Sequence, residues 1–405
     1  MTWRFPIARP RQSMKVSETR VALIGAAMLT LGPVSSSLFA PALPSVVGEL
    51  NTTEAKAQLA ISALLGGLAI AQLLCGALSD RFGRKSVLSA FFAIFIAASF
   101  WASVAQDIDH LIAARFFQGI GASAGLITSR AIVRDLFPPE RATRIYALMS
   151  GAIAVGPAIA PFAGALLVVA FGWRATLLVL GLLALLVVVL TVFGLPESNR
   201  GERQPLRFGT VITSLILLLR TGSFVRPALV AAIPTGTMYA FAAITPLLLI
   251  VEIGVSTSSF GLILMAQAAV YILATIVCRL LIGRMSVSRV ALIGISLDAA
   301  GAIGLILLHF QDPLTVVNVM VPIALISFGN GLFFPMFTSQ SIYGAPTGPG
   351  MASSVLNFLQ LSTGFIVTAG ASLLADARLA AGTVYPLCIM VAVGLGVLHL
   401  SRGSE

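Results

Sequence analysis

Residues 71–88 read "AQLLCGALSDRFGRKSVL", and the segment from Gly76 to Lys85 decides what kind of chain this is. On both sides the sequence stays apolar for about twenty residues, the length that crosses a bilayer as a helix. Between the two apolar runs stands a very short hinge that holds Asp80, Arg81, Arg84 and Lys85 around Gly83. Two spanning segments joined this way leave and re-enter a membrane within one tight turn, which Gly83 permits. Asp80, set among cations, can pair locally or face a helix N-terminus.

The same alternation runs along the whole chain. It divides the sequence into twelve spans, at 20–47, 55–79, 86–105, 109–132, 143–170, 174–195, 224–251, 258–283, 289–310, 315–340, 350–374 and 379–401. Of the 405 residues, 58% are hydrophobic and 10% charged, with a mean hydropathy of +1.00. A soluble domain carries about 25% charged residues, so water is not the main solvent of this surface. The alternating segments of about ten residues that build a membrane β-barrel are absent from the pattern. The fold class read here is an all-α polytopic membrane protein.

A net charge of +10 raises the question of a nucleic-acid partner, but the cations follow topology instead. They cluster before the first span (Arg4 to Arg20) and after the second, fourth, sixth, eighth and last. Only Lys56, Arg174 and Arg378 fall on the other side, while Arg115 lies inside a span. The positive-inside rule then places both termini in the cytoplasm. The segment before residue 20 reads as a cytoplasmic tail rather than a cleaved signal. Cys75, Cys278 and Cys388 lie in apolar runs without metal or redox spacing. His110, His309 and His399 are scattered near span ends, and no enzyme constellation stands out.

The chain divides into a tail (1–19), six spans (20–195), a linker (196–223), six more spans (224–401) and a short tail (402–405). The linker is basic and then apolar from Val211 to Leu219, too short to span, and reads as an amphipathic helix on the cytoplasmic face. Residues 71–88 can be laid over "ATIVCRLLIGRMSVSRVAL" (274–292), which aligns Cys75 with Cys278 and Arg81 with Arg284. The offset is about half the chain. Six plus six helices around a midpoint linker is how parallel-repeat transporters are built, with the site between the halves.

Two further stretches carry chemistry. In "RFFQGIGASAG" (115–125), Arg115 lies about 7 Å deep at the helical rise, one turn from Gln118, on a helix made smooth by small residues. In "GAIAVGPAIAPFAG" (151–164), Gly151, Gly156, Pro157, Pro161 and Gly164 bend a helix and thin one face. Asp298 lies in the middle of the ninth span among apolar residues, a position that favours the neutral acid. Candidates for lining a central cavity are Met28, Ser37, Phe39, Met238, Tyr239, Phe241, Gln267, Asn330, Phe333, Phe334, Phe337, Asn357 and Gln360. Aromatic and Met surfaces adapt to varied apolar ligands, and a few amides orient them.

The hinge Gly76, Asp80, Arg81, Gly83, Arg84, Lys85 resembles the signature of the major facilitator superfamily. The stretches at 115–125 and 151–164 resemble that family's second and antiporter motifs. With "PALP" (41–44), "VRDLFPPERA" (133–142), "FGWRATL" (171–177), "PES" (196–198), "GNGLFFPMFTSQS" (329–341) and "GPGMASSVLNFLQ" (348–360), the chain looks most like the twelve-span drug:proton antiporters of the Bcr/CflA branch. The resemblance implies two pseudo-symmetric six-helix bundles with alternating access. It also implies a hinge that latches the cytoplasmic side, and an arginine, Arg115, linked with Gln118 to proton coupling. It further implies multidrug efflux from the inner membrane, driven by the proton gradient without a cofactor. The partners would be the lipid bilayer, protons and a lipophilic substrate, with the chain acting as a monomer and binding no nucleic acid.

One departure stands out. In "LGPVSSSLFAPALP" (31–44), Ser37 occupies the place where Bcr/CflA-like relatives commonly carry an aspartate. Arg115 is thereby left without its expected acid, and Asp298 is the other candidate for coupling. Transport of a defined metabolite, such as a sugar or amino-acid derivative, is the alternative function. A non-transporting sensor or scaffold stands further back.

Overall fold

The computed structural model describes residues 17–199, 208–374 and 376–402. The described chain is helical and contains no strand. Its helices are α1 (Glu18–Phe39), α2 (Leu43–Glu49), α3 (Glu54–Phe82), α4 (Arg84–Ser103), α5 (Ile108–Leu136), α6 (Pro139–Phe171), α7 (Trp173–Gly194) and α8 (Phe208–Arg220). They continue with α9 (Gly222–Pro246), α10 (Thr257–Ile282), α11 (Val287–Ile306), α12 (Val316–Tyr343), α13 (Pro349–Ala371) and α14 (Ala377–Arg402). α1 runs into α2 through one tight turn at Ala40–Ala42, and α9 ends in a π-helical turn at Leu247–Glu252. Eleven segments have the length and apolarity of a bilayer crossing, and α6, apolar over Val155–Phe171, supplies the twelfth.

Local chemistry sets the boundaries. Thr53, Asp107, Ser256, Ser286 and Thr315 each accept the N–H three residues on, which caps α3, α5, α10, α11 and α12. Gly83 (φ +98°) and Gly172 (φ +80°) make the one-residue joints α3–α4 and α6–α7, a backbone conformation that strains other residues. In the loop before α5, the His110 N–H donates to Asp107 at 2.8 Å and holds that carboxyl below the ordinary range.

The first six crossings pack as one unit and the last six as another. In each unit the third and fourth crossings lie against one another, α4 on α5 and α11 on α12. The two most extensive contacts between the units are α3 on α13 and α6 on α10. Each contact pairs the second crossing of one unit with the fifth of the other, as a parallel repeat requires. Small residues make the helix approaches close, both within a unit and between units. A side chain on Gly119 of α5 would run into the Leu64 carbonyl of α3, and one on Gly261 of α10 would meet the backbone of Pro161 and Phe162. Both described chain ends lie on one face, called here the terminal face. α8 lies beside α9, with Leu218 buried while Ile212, Ile216 and Leu217 are exposed.

Candidate functional site

A cavity of ≈ 800 Å³ opens between the two units on the terminal-face side. From the first unit it is lined by α1 (Leu29), α3 (Gln72, Gly76, Asp80), α5 (Arg130, Arg134) and α6 (Tyr146, Met149). From the second unit the lining comes from the start of α13, including Met351, Ser354 and Asn357. Gln72 donates to the Ser354 carbonyl at 3.2 Å, a hydrogen bond that joins the units across the cavity wall. On the other face, α6 closes against α10 at Gly261.

The hinge borders this cavity and is fastened to its own unit. Arg84, 4% exposed, donates to Asp80 at 2.6 Å, to Asp135 at 3.0 Å and to the Ser79 hydroxyl at 3.1 Å. The Glu197 carboxylate accepts the N–H groups of Arg84 and Lys85, at 3.0 and 3.1 Å, where α4 begins with no other cap. Lys85 donates to the Val192 and Leu195 carbonyls at the end of α7. Arg81 is exposed and lies over the Phe82 ring. Glu197 and Asp135 complete the hinge. In sequence they are hidden inside the longer stretches "PES" (196–198) and "VRDLFPPERA" (133–142), although an acid beside an uncapped helix start is a usable signal.

Arg115 is fully buried, and no carboxylate meets it among the described residues. Its Nη1 donates to the Ser35 hydroxyl (3.1 Å) and to Gln118 (2.5 Å), Nη2 to the Ser35 carbonyl (3.2 Å), and Nε to the Ala60 carbonyl (3.3 Å). The guanidinium lies 4.6 Å over the Phe39 ring. Gln118 in turn donates to Ser99 of α4 at 2.7 Å. Thus α1, α3, α4 and α5 are tied through one cation. Ser37 is only half-buried and takes no part in this set. Its turn of the helix matches Thr30 and Val34, which pack on Gly156 of α6. The residue the sequence missed is Ser35. It shares a helix face with Phe39, four residues on, whereas Ser37 is rotated about 200° away.

The proline-glycine stretch of α6 stands between the units. Gly156 and Gly164 lie against α1, and Pro161 lies against α10. Gly151 belongs to α6, but its surroundings lie outside the described residues.

In the second unit, Asp298 is 1% exposed on α11, and its Oδ1 has no partner among the described residues. The carboxylate oxygen packs at the Cα of Gly329 on α12. The drug-cavity candidates divide. Asn357 lines the ≈ 800 Å³ cavity. Met28, Phe39, Phe241, Phe333 and Phe337 are instead packed in the interior, with Phe241 stacked on Tyr385 at 4.8 Å and Phe333 edge-on to Phe337 at 5.9 Å. Gln267 donates to Ser327 and to the Ile323 carbonyl, the Ser327 hydroxyl donates to the Met238 sulfur, and Asn330 donates to Thr235. Gln360 is buried, Phe334 half-buried, and Tyr239 exposed at 37%. No group of three or more His, Cys, Asp or Glu gathers as metal ligands among the described residues.

The family profile described as Major Facilitator Superfamily matches residues 25–371. The chain belongs to the Major Facilitator Superfamily. It is therefore a multi-pass membrane protein of a transporter family, not an enzyme. The chain is 31% identical over 348 residues to the uncharacterized MFS-type transporter YdgK of Bacillus subtilis, covering 84% of this chain and 85% of that one. It is 28% identical over 346 residues to the multidrug resistance protein MdtL of Vibrio parahaemolyticus, covering 85% and 86%. Among solved structures, a D-xylose-proton symporter superposes with a TM-score of 0.72 at 16% identity, covering 92% of this chain and 97% of that one. A POT family transporter in complex with 5-aminolevulinic acid superposes at 0.74 with 14% identity, covering 94% and 95%. At these identities the solved structures show the shared fold alone.

Proposed function

We propose that this major facilitator exports lipophilic small molecules by alternating access, driven by proton entry, as a multidrug transporter of the Bcr/CflA kind. The observation that carries the reading is the cavity shared by both units on the terminal-face side, closed on the other face by α6 against α10. The resemblance to MdtL multidrug resistance proteins supports the drug class. We read the terminal face as cytoplasmic, because the basic residues gather there, and the membrane as the inner membrane. Segments 20–195 and 224–401 are then the rocking units of a monomer, joined by 196–223. The hinge at Asp80 is the latch of the cytoplasmic side.

The site residues take their roles within this reading. Arg115 and Gln118 hold the first unit together at bilayer depth, where intramembrane charge is functional by default. Asp298 is the second candidate for coupling, since a carboxyl can exchange a proton and a serine at position 37 cannot. The substrate drives nothing by itself; proton entry supplies the work.

The test is transport in proteoliposomes with an imposed pH gradient, inside acidic relative to outside or the reverse, and a lipophilic fluorescent dye as cargo. The expected result is dye movement against its own gradient in one direction of the pH gradient only, with proton flux opposite to it. Dye movement that ignores the pH gradient removes antiport and leaves facilitated transport.

A further inference from the structure

The cavity carries an uneven charge. Four of its lining residues are charged: Asp80, Arg84, Arg130 and Arg134. Asp80 is taken up by Arg84 at 2.6 Å, and Arg84 is shared with Asp135 at 3.0 Å. Arg134 also lies 3.6 Å from Asp135. Arg130 is different. It is exposed and lines the cavity, and its guanidinium has neither a hydrogen bond nor an ion pair among the described residues. The nearby Tyr146 hydroxyl donates to the Arg130 backbone carbonyl at 2.8 Å, a bond that does not engage the guanidinium. On the facing wall, α13 starts at Pro349 with no side-chain cap, so its positive end adds to the same potential.

A cation needs a partner when it is taken from water. Around Arg130 the described lining offers amides, hydroxyls and apolar surface, from Gln72, Asn357, Ser353, Leu126 and Met351, but no free acid. A lipophilic cation entering here would meet uncompensated like charge. An amphipathic anion would instead supply the missing partner and lay its apolar body on Leu29, Leu126 and Met351. We propose that the cavity binds amphipathic solutes through an anionic group held at Arg130, and selects against lipophilic cations. The proposal rests on the export reading and names the substrate class of that same site.

The experiment uses the full chain in phosphatidylcholine nanodiscs, whose lipid has no net charge. Three probes share one dansyl fluorophore and linker and end in a carboxylate, a neutral amide or a quaternary ammonium. The carboxylate probe binds at least about tenfold more tightly than the ammonium probe. Arg130→Gln brings the two within about twofold, and Arg130→Lys keeps most of the difference. Titrating phosphatidylglycerol into the nanodiscs separates the two sources of such an anion. Displacement of the carboxylate probe identifies a lipid headgroup as occupant, while unchanged affinity identifies a dissolved solute; both support the anion site. Equal binding of the ammonium and carboxylate probes, or carboxylate affinity unchanged by Arg130→Gln, overturns the proposal. In proteoliposomes, export of the ammonium probe alone overturns it and leaves the export reading standing. Failure of all three probes to move, with the carboxylate preference in binding intact, overturns the export reading and leaves the anion site standing.

Discussion

Among the described residues each half of this molecule buries one charged residue type, and the two halves treat it differently. In the first unit Arg115 is wrapped by two carbonyls, a hydroxyl, an amide and an aromatic face drawn from two neighbouring helices, α1 and α3, and from its own helix α5. In the second unit Asp298 leaves Oδ1 without a partner among the described residues, wedged at Gly329 of α12. The difference follows from chemistry. A guanidinium keeps its charge under nearly all conditions, so the protein must replace its hydration shell with fixed dipoles. A carboxyl has a second way out of the same cost, since it can hold its proton. The first unit is therefore built around a permanent charge, and the second around a group that can change its charge.

The largest effect expected from breaking this contrast is at Arg115. Arg115→Ala removes the tie among α1, α3, α4 and α5 and abolishes active export, while the chain still inserts. Transport in vesicles together with membrane yield checks this, and normal export by the variant removes Arg115 from the mechanism. Next comes the close approach of α11 and α12. Gly329→Ala puts a methyl group where the Asp298 oxygen and the Gly294 carbonyl already lie. It lowers thermal stability by about 1–3 kcal/mol, the range of overpacking. Asp298→Asn fits the same space and isolates charge from shape. It costs less than about 1.5 kcal/mol in stability but flattens the pH dependence of export if Asp298 carries the coupled proton. An unchanged pH profile assigns Asp298 to packing alone.

The smallest effect separates two neighbouring serines. Ser35→Ala deletes one of the hydrogen bonds to Arg115 and keeps the Ser35 carbonyl, at a cost of about 1 kcal/mol. Ser37→Ala, on the face turned to α6, costs less than about 0.5 kcal/mol. Equal losses at both positions would contradict the orientation of α1.

How much of this could be read from the sequence depends on what the reading needed. The crossings were legible because a bilayer demands about twenty apolar residues and the loops between them carry Gly, Pro and charge. Arg115, Gln118 and the Gly76–Lys85 hinge stood out because charge and tight turns are costly in that setting. Orientation within the bundle did not stand out. Lipid, packed interior and drug cavity are all apolar, so Phe241, Phe333 and Phe337 look alike in sequence whether they line a cavity or fill a core. The structure puts those three in the core. The serine run shows the same limit, since choosing Ser35 over Ser37 needs the rotation of α1 against α5. In sequence Arg130 is one of the cations that follow the fourth span, and only the cavity shows that its guanidinium is unpaired among the described residues.

Reciprocal movement of the two faces is the most direct test of the alternating-access account. Spin labels at 82 and 343 report the terminal face, and labels at 171 and 373 report the other, all at exposed positions, with the native cysteines replaced. Adding a transported dye across a pH gradient should shorten the first distance and lengthen the second. Two distances that stay fixed, or that move together, would contradict alternating access by rocking of the two units.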